Sequence, residues 1–163
     1  MTAADRVISR EALAARIATE RGAGARVVFT NGVFDLLHIG HVRYLESARS
    51  LGDMLVVAVN SDASVQGLGK GPGRPIVPQA ERAELVAALR CVDYVCIFDE
   101  ALPDVTIRAL RPDIHVKSAQ YDARTLPEAD AVREVGARIE IVPHVAARST
   151  SAIVEHVRKD HSA

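Results

Sequence analysis

The sequence has no tryptophan, only two cysteines and no excess of charge of either sign. The cysteines, Cys91 and Cys96, lie five positions apart in an apolar run, which fits neither a CxxC metal pair nor the disulfide framework of a secreted protein. We therefore expect two buried free thiols and a reducing, cytoplasmic location. With 20 basic and 21 acidic side chains, the formal net charge is −1, so the broad positive field needed to bind nucleic acid is missing and we expect no such partner.

Long apolar runs are also missing. No stretch approaches the length that crosses a bilayer, and the N-terminus has no signal-type apolar segment, so we expect no membrane partner. Apolar residues nevertheless make up 48% of the 163 positions. That share is enough for a single domain with one well-buried core.

Strand-like and helix-like segments alternate along the chain. The segment "DMLVVAVN" is nearly all apolar, as in a strand buried on both faces of a parallel sheet, whereas Ser9 precedes a helix-like segment that stops at Gly22. We predict strands over 26–31, 53–60, 92–98, 113–118 and 137–143, and helices over 10–22, 41–52, 77–90, 101–112, 126–136 and 149–159.

This alternation predicts an α/β fold: a Rossmann-like open five-stranded parallel sheet with helices on both faces. Such sheets bind ligands at the carboxyl ends of their strands, near the switch in strand order. We divide the chain into an N-terminal helical extension over 1–25, the main domain over 26–158 and a frayed tail over 159–163. The helix of the extension is a candidate packing arm or dimer contact, so a homodimer is one expectation.

Two histidines stand three positions apart where the first strand leads into a helix. His38 and His41 flank Gly40 in "HIGH", and an i, i+3 pair at a helix start points both imidazoles to one side, beside free helix amides. The pattern suits an oxyanion better than a metal, because zinc would need a third protein ligand and the i, i+4 spacing of HExxH is absent. We predict an anion site without a resident metal.

Residues 61–78 are rich in glycine and proline and are predicted to form a loop. Loops of this length in compact domains are commonly functional or mobile. The loop contains Lys70 in "GLGKGPG", which is not a Walker A sequence, because neither serine nor threonine follows the lysine.

The stretch "TNGVFDLLHIGH" resembles the HxGH signature of the nucleotidylyltransferase superfamily. The resemblance continues through "VAVNSD", "GRP", "ERAELVAALRCVDYV", "PDIHVKS" and "RSTSAIV", and so covers about residues 26–157. Within the superfamily the chain is most similar to the adenylyltransferases that act on D-glycero-β-D-manno-heptose 1-phosphate. The resemblance implies that residues 26–158 form a nucleotidylyltransferase domain.

The resemblance also implies roles for individual residues. Catalytic roles fall to His38, His41 and Lys70, and Asp35 is expected to order its loop as well as to lie near the substrate. Nucleotide contacts fall to Thr30, Asn31, Gly32, Phe34, His38, Gly40, His41, Lys70, Arg82, Lys117, Ser149, Thr150 and Ser151. Substrate contacts fall to Asp35, Asn60, Asp62 and Arg74.

The implied reaction transfers AMP from ATP to a sugar 1-phosphate and releases pyrophosphate, with Mg²⁺ accompanying the triphosphate. No group has to be deprotonated, because a sugar phosphate is already an anionic nucleophile, so catalysis consists of alignment and charge stabilisation. The partners expected are ATP, the sugar 1-phosphate and a separate upstream sugar kinase.

Two departures from the family pattern leave alternatives open. Where heptose adenylyltransferases read "KGGDY", this chain reads "KSAQY" at 117–121, which exchanges two glycines and a carboxylate beside the expected base pocket. A CTP-dependent enzyme acting on glycerol 3-phosphate is the first alternative, although "HVAARSTS" differs from the "RTEGISTT" of that group. The second alternative is a nucleotide-binding regulator without turnover, which would not need the histidine pair.

Overall fold

A computed structural model describes residues 1–69, 71–123 and 125–143, together with residues 154, 155 and 157. The five predicted strands form one sheet in the order β3-β2-β1-β4-β5, and all four neighbouring pairs are parallel. The strands are β1 (Val27–Gly32), β2 (Met54–Asn60), β3 (Tyr94–Phe98), β4 (Ile114–Ser118) and β5 (Arg138–Val142). The open α/β architecture is therefore confirmed.

Six α-helices in the described residues connect or precede these strands. They are α1 (Arg10–Gly22), α2 (Ile39–Arg49), α3 (Asp62–Gly67), α4 (Gln79–Ala87), α5 (Asp104–Leu110) and α6 (Ala129–Glu134). None of the helices in the described part of the chain is long and apolar enough to cross a membrane.

Alternate residues of each strand pack on opposite faces of the sheet, which produces two core clusters. All seven residues of β2 are buried, because helices cover both of its faces. On one face, Val28 and Val57 pack with residues of α2 and α4. On the other face, Phe29 and Val56 pack with residues of α1, α5 and α6.

Helix α1 is part of the second core cluster. The Ser9 side chain caps it by accepting a hydrogen bond from the Ala12 amide, as predicted. Leu13 and Ile17 are 0% and 1% exposed and pack in the cluster that also holds β1 and β2 residues. Val7 forms a parallel bridge to Val95 of β3, so the N-terminal segment also lies along the sheet edge. The boundary at residue 25 stays a prediction, but the segment before it is packed against the sheet.

The prediction of an uninterrupted loop over 61–78 is wrong, because α3 lies inside it. Ser61 caps α3 by accepting from the Ser64 amide, and the Asp62 amide is bound by the side chain of Gln79. These side-chain bonds stabilise a helix of six residues, too short for hydrophobic periodicity to reveal. The other five described helices begin and end within a few residues of the predicted bounds. The helix predicted over 149–159 lies mostly outside the described residues.

Replacing Leu13 by alanine tests whether α1 belongs to the domain. We expect a loss of about 3 kcal/mol in the free energy of unfolding, because a fully buried leucine leaves a cavity when it is truncated. Thr19→Ala is the matched control, since Thr19 is exposed on the same helix. The measurement is urea unfolding followed by circular dichroism. Equal midpoints for the two variants would show that α1 is an appendage.

Candidate functional site

The two histidines of "HIGH" stack on each other at the start of α2, at the carboxyl edge of the sheet. Their ring centroids are 3.9 Å apart with an interplanar angle of 29°. His38 is the N-cap residue, and its Nδ1 accepts from the Gly40 amide at 3.2 Å. His41 Nδ1 accepts in turn from the His38 amide at 3.4 Å. The predicted placement of both rings on one side of the helix start agrees with this geometry.

These backbone bonds select the tautomer of each neutral ring. A nitrogen that accepts a hydrogen bond carries no proton, so the proton of each neutral imidazole lies on Nε2. Burial, reinforced by the nearby His38, lowers the pKa of His41 to about 4, so this ring is neutral at pH 7. The pair can therefore present Nε2–H donors to an anion without a full positive charge on His41.

Phe34 packs against the ring of His41. Its ring centroid lies 5.4 Å from that of His41, and its backbone adopts the left-handed conformation with φ of 50°. A Cβ at Gly32 would lie 3.0 Å from the Phe34 ring, so glycine at that position allows the ring to pack closely. A non-glycine residue in this conformation costs about 1–3 kcal/mol, and such strain clusters at functional sites.

A hydroxyl pair fixes α2 against β4. Thr30 Oγ1 and Tyr44 Oη lie 2.7 Å apart, and both are within hydrogen-bond distance of the Val116 carbonyl oxygen, at 3.0 and 2.8 Å. Thr30 is 0% exposed, and burial raises the pKa of Tyr44 well above its usual range. Thr30 is thus committed to the interior, where it can position the loop that follows β1. The sequence patterns gave no indication of Tyr44.

Asp35 organises the loop before α4. Its Oδ2 accepts from Arg74 Nη1 at 2.6 Å, and its Oδ1 accepts from the Ile76 and Val77 amides at 2.8 and 3.0 Å. Burial would raise the pKa of this carboxyl, but the hydrogen bonds from Val77, Arg74 and Ile76 outweigh burial and hold the pKa below its usual range. The predicted ordering role fits these contacts. Substrate contacts by Asp35 and Arg74 stay predictions.

Arg82 joins two loops and the start of α3 at the same edge. Its side chain is 0% exposed, and it donates from Nε to the Val77 carbonyl at 2.9 Å, from Nη1 to the Val33 carbonyl at 2.6 Å and from Nη2 to Asp62 Oδ1 at 2.7 Å. An arginine on an amphipathic helix is ordinarily exposed, whereas this one is in the interior. Arg82 therefore positions the loops, and direct contact with a nucleotide stays a prediction.

The remaining predicted substrate residues lie at the end of β2. Asn60 is 4% exposed and donates through Nδ2 to Ser64 Oγ at 3.0 Å, and Ser64 Oγ donates to the Glu100 carbonyl at 2.9 Å. Asp62 keeps about a third of its side chain exposed while it binds Arg82. Of these groups, Asp62 is the one that the described structure presents to solvent at this edge.

Lys117 and Asn31 meet across the ends of β4 and β1. Lys117 Nζ lies 2.8 Å from Asn31 Oδ1 and 2.7 Å from Glu128 Oε1. Glu128 Oε1 is also 3.1 Å from His115 Nε2. Sequence patterns missed Glu128 and His115. A signal was available for His115, because it alternates with Ile114 and Val116 and so shares a strand face with Lys117, and buried polar groups need partners.

Four predicted site residues lie outside the described residues: Lys70, Ser149, Thr150 and Ser151. Within the described ranges, no group of three or more histidine, cysteine, aspartate or glutamate side chains could hold a metal ion.

Comparison with known proteins gives consistent results. A family model described as cytidylyltransferase-like matches residues 29–160. The chain is 50% identical over 152 residues to the bifunctional protein HldE of Trichlorobacter lovleyi, covering 93% of this chain and 31% of that protein. It is 48% identical to the bifunctional protein HldE of Azorhizobium caulinodans, again over 93% of this chain and 32% of the relative. The chain thus spans about a third of the length of these curated relatives.

Two solved structures share the fold. The lipopolysaccharide core biosynthesis protein from Thermoplasma volcanium is 31% identical, with a TM-score of 0.64 over 77% of this chain and 100% of that one. Pantoate-beta-alanine ligase from Francisella tularensis is 13% identical, with a TM-score of 0.54 over 85% of this chain and 67% of that one, and supports the fold alone.

Proposed function

Because the chain belongs to the cytidylyltransferase-like family and is a nucleotidyltransferase, we propose that it transfers AMP from ATP to a sugar 1-phosphate. The substrate we propose is D-glycero-β-D-manno-heptose 1-phosphate, and the products are the ADP-sugar and pyrophosphate. ATP enters as its magnesium complex. The observation that carries the proposal is the stacked pair His38 and His41 at the helix start on the carboxyl edge, where open α/β sheets bind phosphates.

The chemistry is an exchange of one phosphorus–oxygen bond for another. An oxygen of the sugar 1-phosphate attacks the α-phosphorus of ATP, and the bond from that phosphorus to the α,β-bridging oxygen breaks, with its electron pair leaving on pyrophosphate. The nucleophile is already an anion at neutral pH, so no general base is required. The enzyme has to align the two phosphates and stabilise the charge that builds on the α-phosphate oxygens.

The histidine pair is suited to that task. Both Nδ1 atoms accept from backbone amides, so the Nε2 on the opposite side of each ring is the nitrogen proposed to donate to the phosphate. Preorganised donors of this kind stabilise developing charge without reorganising during the reaction. Lys70, in the glycine-rich segment, is proposed to contact the triphosphate.

The choice of substrates rests on two observations. The sequence resembles the heptose 1-phosphate adenylyltransferases, and the curated relatives at about 50% identity are called bifunctional protein HldE. The structural relative at 31% identity is a lipopolysaccharide core biosynthesis protein, which agrees with an activated sugar as the product. We further propose that a kinase reaction supplies the sugar 1-phosphate.

The segment "KSAQY" favours a second candidate, transfer of CMP from CTP to glycerol 3-phosphate or a related alcohol phosphate. Ser118 ends β4, and the turn after it is held by a bond from the Ala119 amide to the Val142 carbonyl and one from the Tyr121 amide to the Ser118 carbonyl. Gln120 is exposed in this turn. The three side chains at 118–120 therefore stand at the edge where a base would be read.

The test is pyrophosphate release with Mg²⁺, with ATP, CTP, GTP and UTP each paired with heptose 1-phosphate and with glycerol 3-phosphate. We expect ATP with the heptose phosphate to give the highest kcat/KM by at least about tenfold, the ratio that one extra favourable contact provides. His41→Ala supplies the blank. Turnover with CTP alone would support the second candidate, and binding of ATP without release in any pairing would refute the proposed reaction.

A further inference from the structure

The sheet face opposite α2 carries a buried polar cluster that the proposed role of the histidine pair does not explain. This β4 cluster consists of Asn31, His115, Lys117 and Glu128. His115 is 0% exposed, Glu128 3% and Lys117 7%, so two formal charges are almost fully withdrawn from water. A buried ion pair is commonly no more stable than apolar residues of the same volume. The burial of this pair between β4 and the start of α6 therefore points to a role other than stability.

The cluster lies at the place where the sheet opens. Strand β1 pairs with β2 as far as Gly32↔Val59, whereas its described pairing with β4 ends at Phe29↔His115. The strand order 3-2-1-4-5 reverses between β1 and β4, and this switch point is where open α/β sheets form their ligand crevice. The bond from Lys117 Nζ to Asn31 Oδ1 spans that crevice.

Besides Asn31, the cluster residues Glu128 and His115 fix Lys117 in this position. Glu128, which precedes α6, binds Nζ at 2.7 Å through Oε1. The same oxygen accepts from His115 Nε2 at 3.1 Å, and the His115 ring stacks on Phe29 with centroids 5.5 Å apart. The imidazole thus orients the carboxylate, and the carboxylate orients the ammonium.

We propose that Glu128, oriented by His115, is a positioning residue that holds the Lys117 ammonium across the β1–β4 crevice for contact with the bound nucleoside triphosphate. This inference rests on the proposed function and extends it to residues that touch no substrate. Lys117 contacts the nucleotide in both ground and transition states, so loss of its position raises the KM for the nucleotide more than it lowers kcat.

The charge state of Lys117 depends on the same carboxylate. Burial lowers the pKa of Lys117, and Glu128 opposes that effect. The other titratable groups that the described structure places near the ammonium are the Tyr121 ring, 5.2 Å away, and His115, whose own pKa is lowered chiefly by burial. Without the Glu128 charge, the pKa of Lys117 falls further, and the ammonium is lost at a lower pH.

The decisive experiment compares Glu128→Gln with Glu134→Gln, a control on α6 whose carboxylate binds Arg108 at the surface. For Glu128→Gln we expect kcat/KM for the nucleotide to fall by on the order of ten- to a hundredfold, since a misplacement of about 1 Å can cost that much. We also expect the alkaline limb of its pH profile to move to lower pH by about one unit or more. A profile and a nucleotide KM that match those of Glu134→Gln would overturn the proposal.

A double variant separates positioning from folding. Lys117→Met combined with Glu128→Gln removes both buried charges, so the protein should fold even if Glu128→Gln alone does not. If Glu128 acts through Lys117, the double variant loses no more kcat/KM than Lys117→Met alone. Losses that multiply would overturn the proposal.

A spectroscopic measurement tests the positioning role of Glu128 without using the enzymatic reaction. The pKa of Lys117, followed by NMR of its side chain, should be lower in Glu128→Gln than in Glu134→Gln. An unchanged pKa overturns the positioning role even if the wild-type protein turns over no tested pair, whereas a lowered pKa in an inactive protein would refute only the proposed function.

Discussion

Replacing His38 by asparagine is expected to lower kcat by on the order of a hundredfold or more and to leave α2 intact. Asparagine is among the best N-cap residues, so its side chain can still accept from the Gly40 amide as His38 Nδ1 does. It has no counterpart to the imidazole Nε2–H, and the α-phosphate therefore loses a preorganised donor. The measurement is steady-state pyrophosphate release with magnesium–ATP, together with thermal melting.

His41→Ala should show the same loss of rate and an additional loss of stability. The substitution removes the acceptor for the His38 amide and the ring contact with Phe34, so we expect a decrease of about 1 kcal/mol in the free energy of unfolding. Arg43→Ala is the control, because Arg43 is exposed on the same helix. Wild-type kcat in His38→Asn would mean that the rings cap the helix and do nothing for catalysis.

The contrast between the two variants follows from one geometric fact. Each ring uses Nδ1 for the backbone, and we propose that the opposite nitrogen acts on the phosphate. An N-cap substitution is therefore expected to keep the first role and remove the second.

The sheet could be predicted from the sequence because its signals are local. The run of seven buried residues in β2, the N-cap of α1 at Ser9 and the end of α1 at Gly22 are patterns that periodicity and turn chemistry reveal. The short α3 was missed because its N-terminal turn is held by side-chain bonds, including one from Gln79, seventeen positions away. No periodic pattern reports that kind of support.

The site was predicted in part for the same reason. His38 and His41 are neighbours in sequence, so their spacing could indicate a shared site. Tyr44 and Glu128 act through partners that only the fold brings close: Tyr44 binds the Val116 carbonyl 72 positions away. Single-sequence reasoning identifies residue types that could do chemistry but has no means of pairing them across such distances.

Arg82 shows that the structural role of a residue depends on its environment in the fold. In "ERAEL" it occupies a helix in which charged residues are usually solvated, yet its guanidinium is enclosed and all three of its nitrogens donate. Two of the acceptors are the backbone carbonyls of Val33 and Val77, in the loops before α2 and α4. Because a buried carbonyl needs a donor, those loops depend on Arg82 for their conformation.

Arg82→Met is therefore expected to affect stability and activity together. Methionine fills much of the volume but leaves the Val33 and Val77 carbonyls without their donor, and Asp62 loses its partner. Removing one member of a buried charged network costs about 3–5 kcal/mol, which for a chain of this size lowers Tm by roughly 10 °C. Calorimetry and pyrophosphate release measure the two effects.

The activity loss in Arg82→Met should persist at temperatures where the variant is fully folded, because the loop that carries Val33 leads directly into His38. Arg82→Lys should recover little, since one ammonium cannot reach three acceptors that a planar guanidinium reaches at once. Arg90→Met, at an exposed arginine just beyond α4, is the control and should melt like the wild type. Full activity in a folded but destabilised Arg82→Met would show that the histidine pair keeps its geometry without this support, and the capping bonds of α2 alone would then have to hold the two rings.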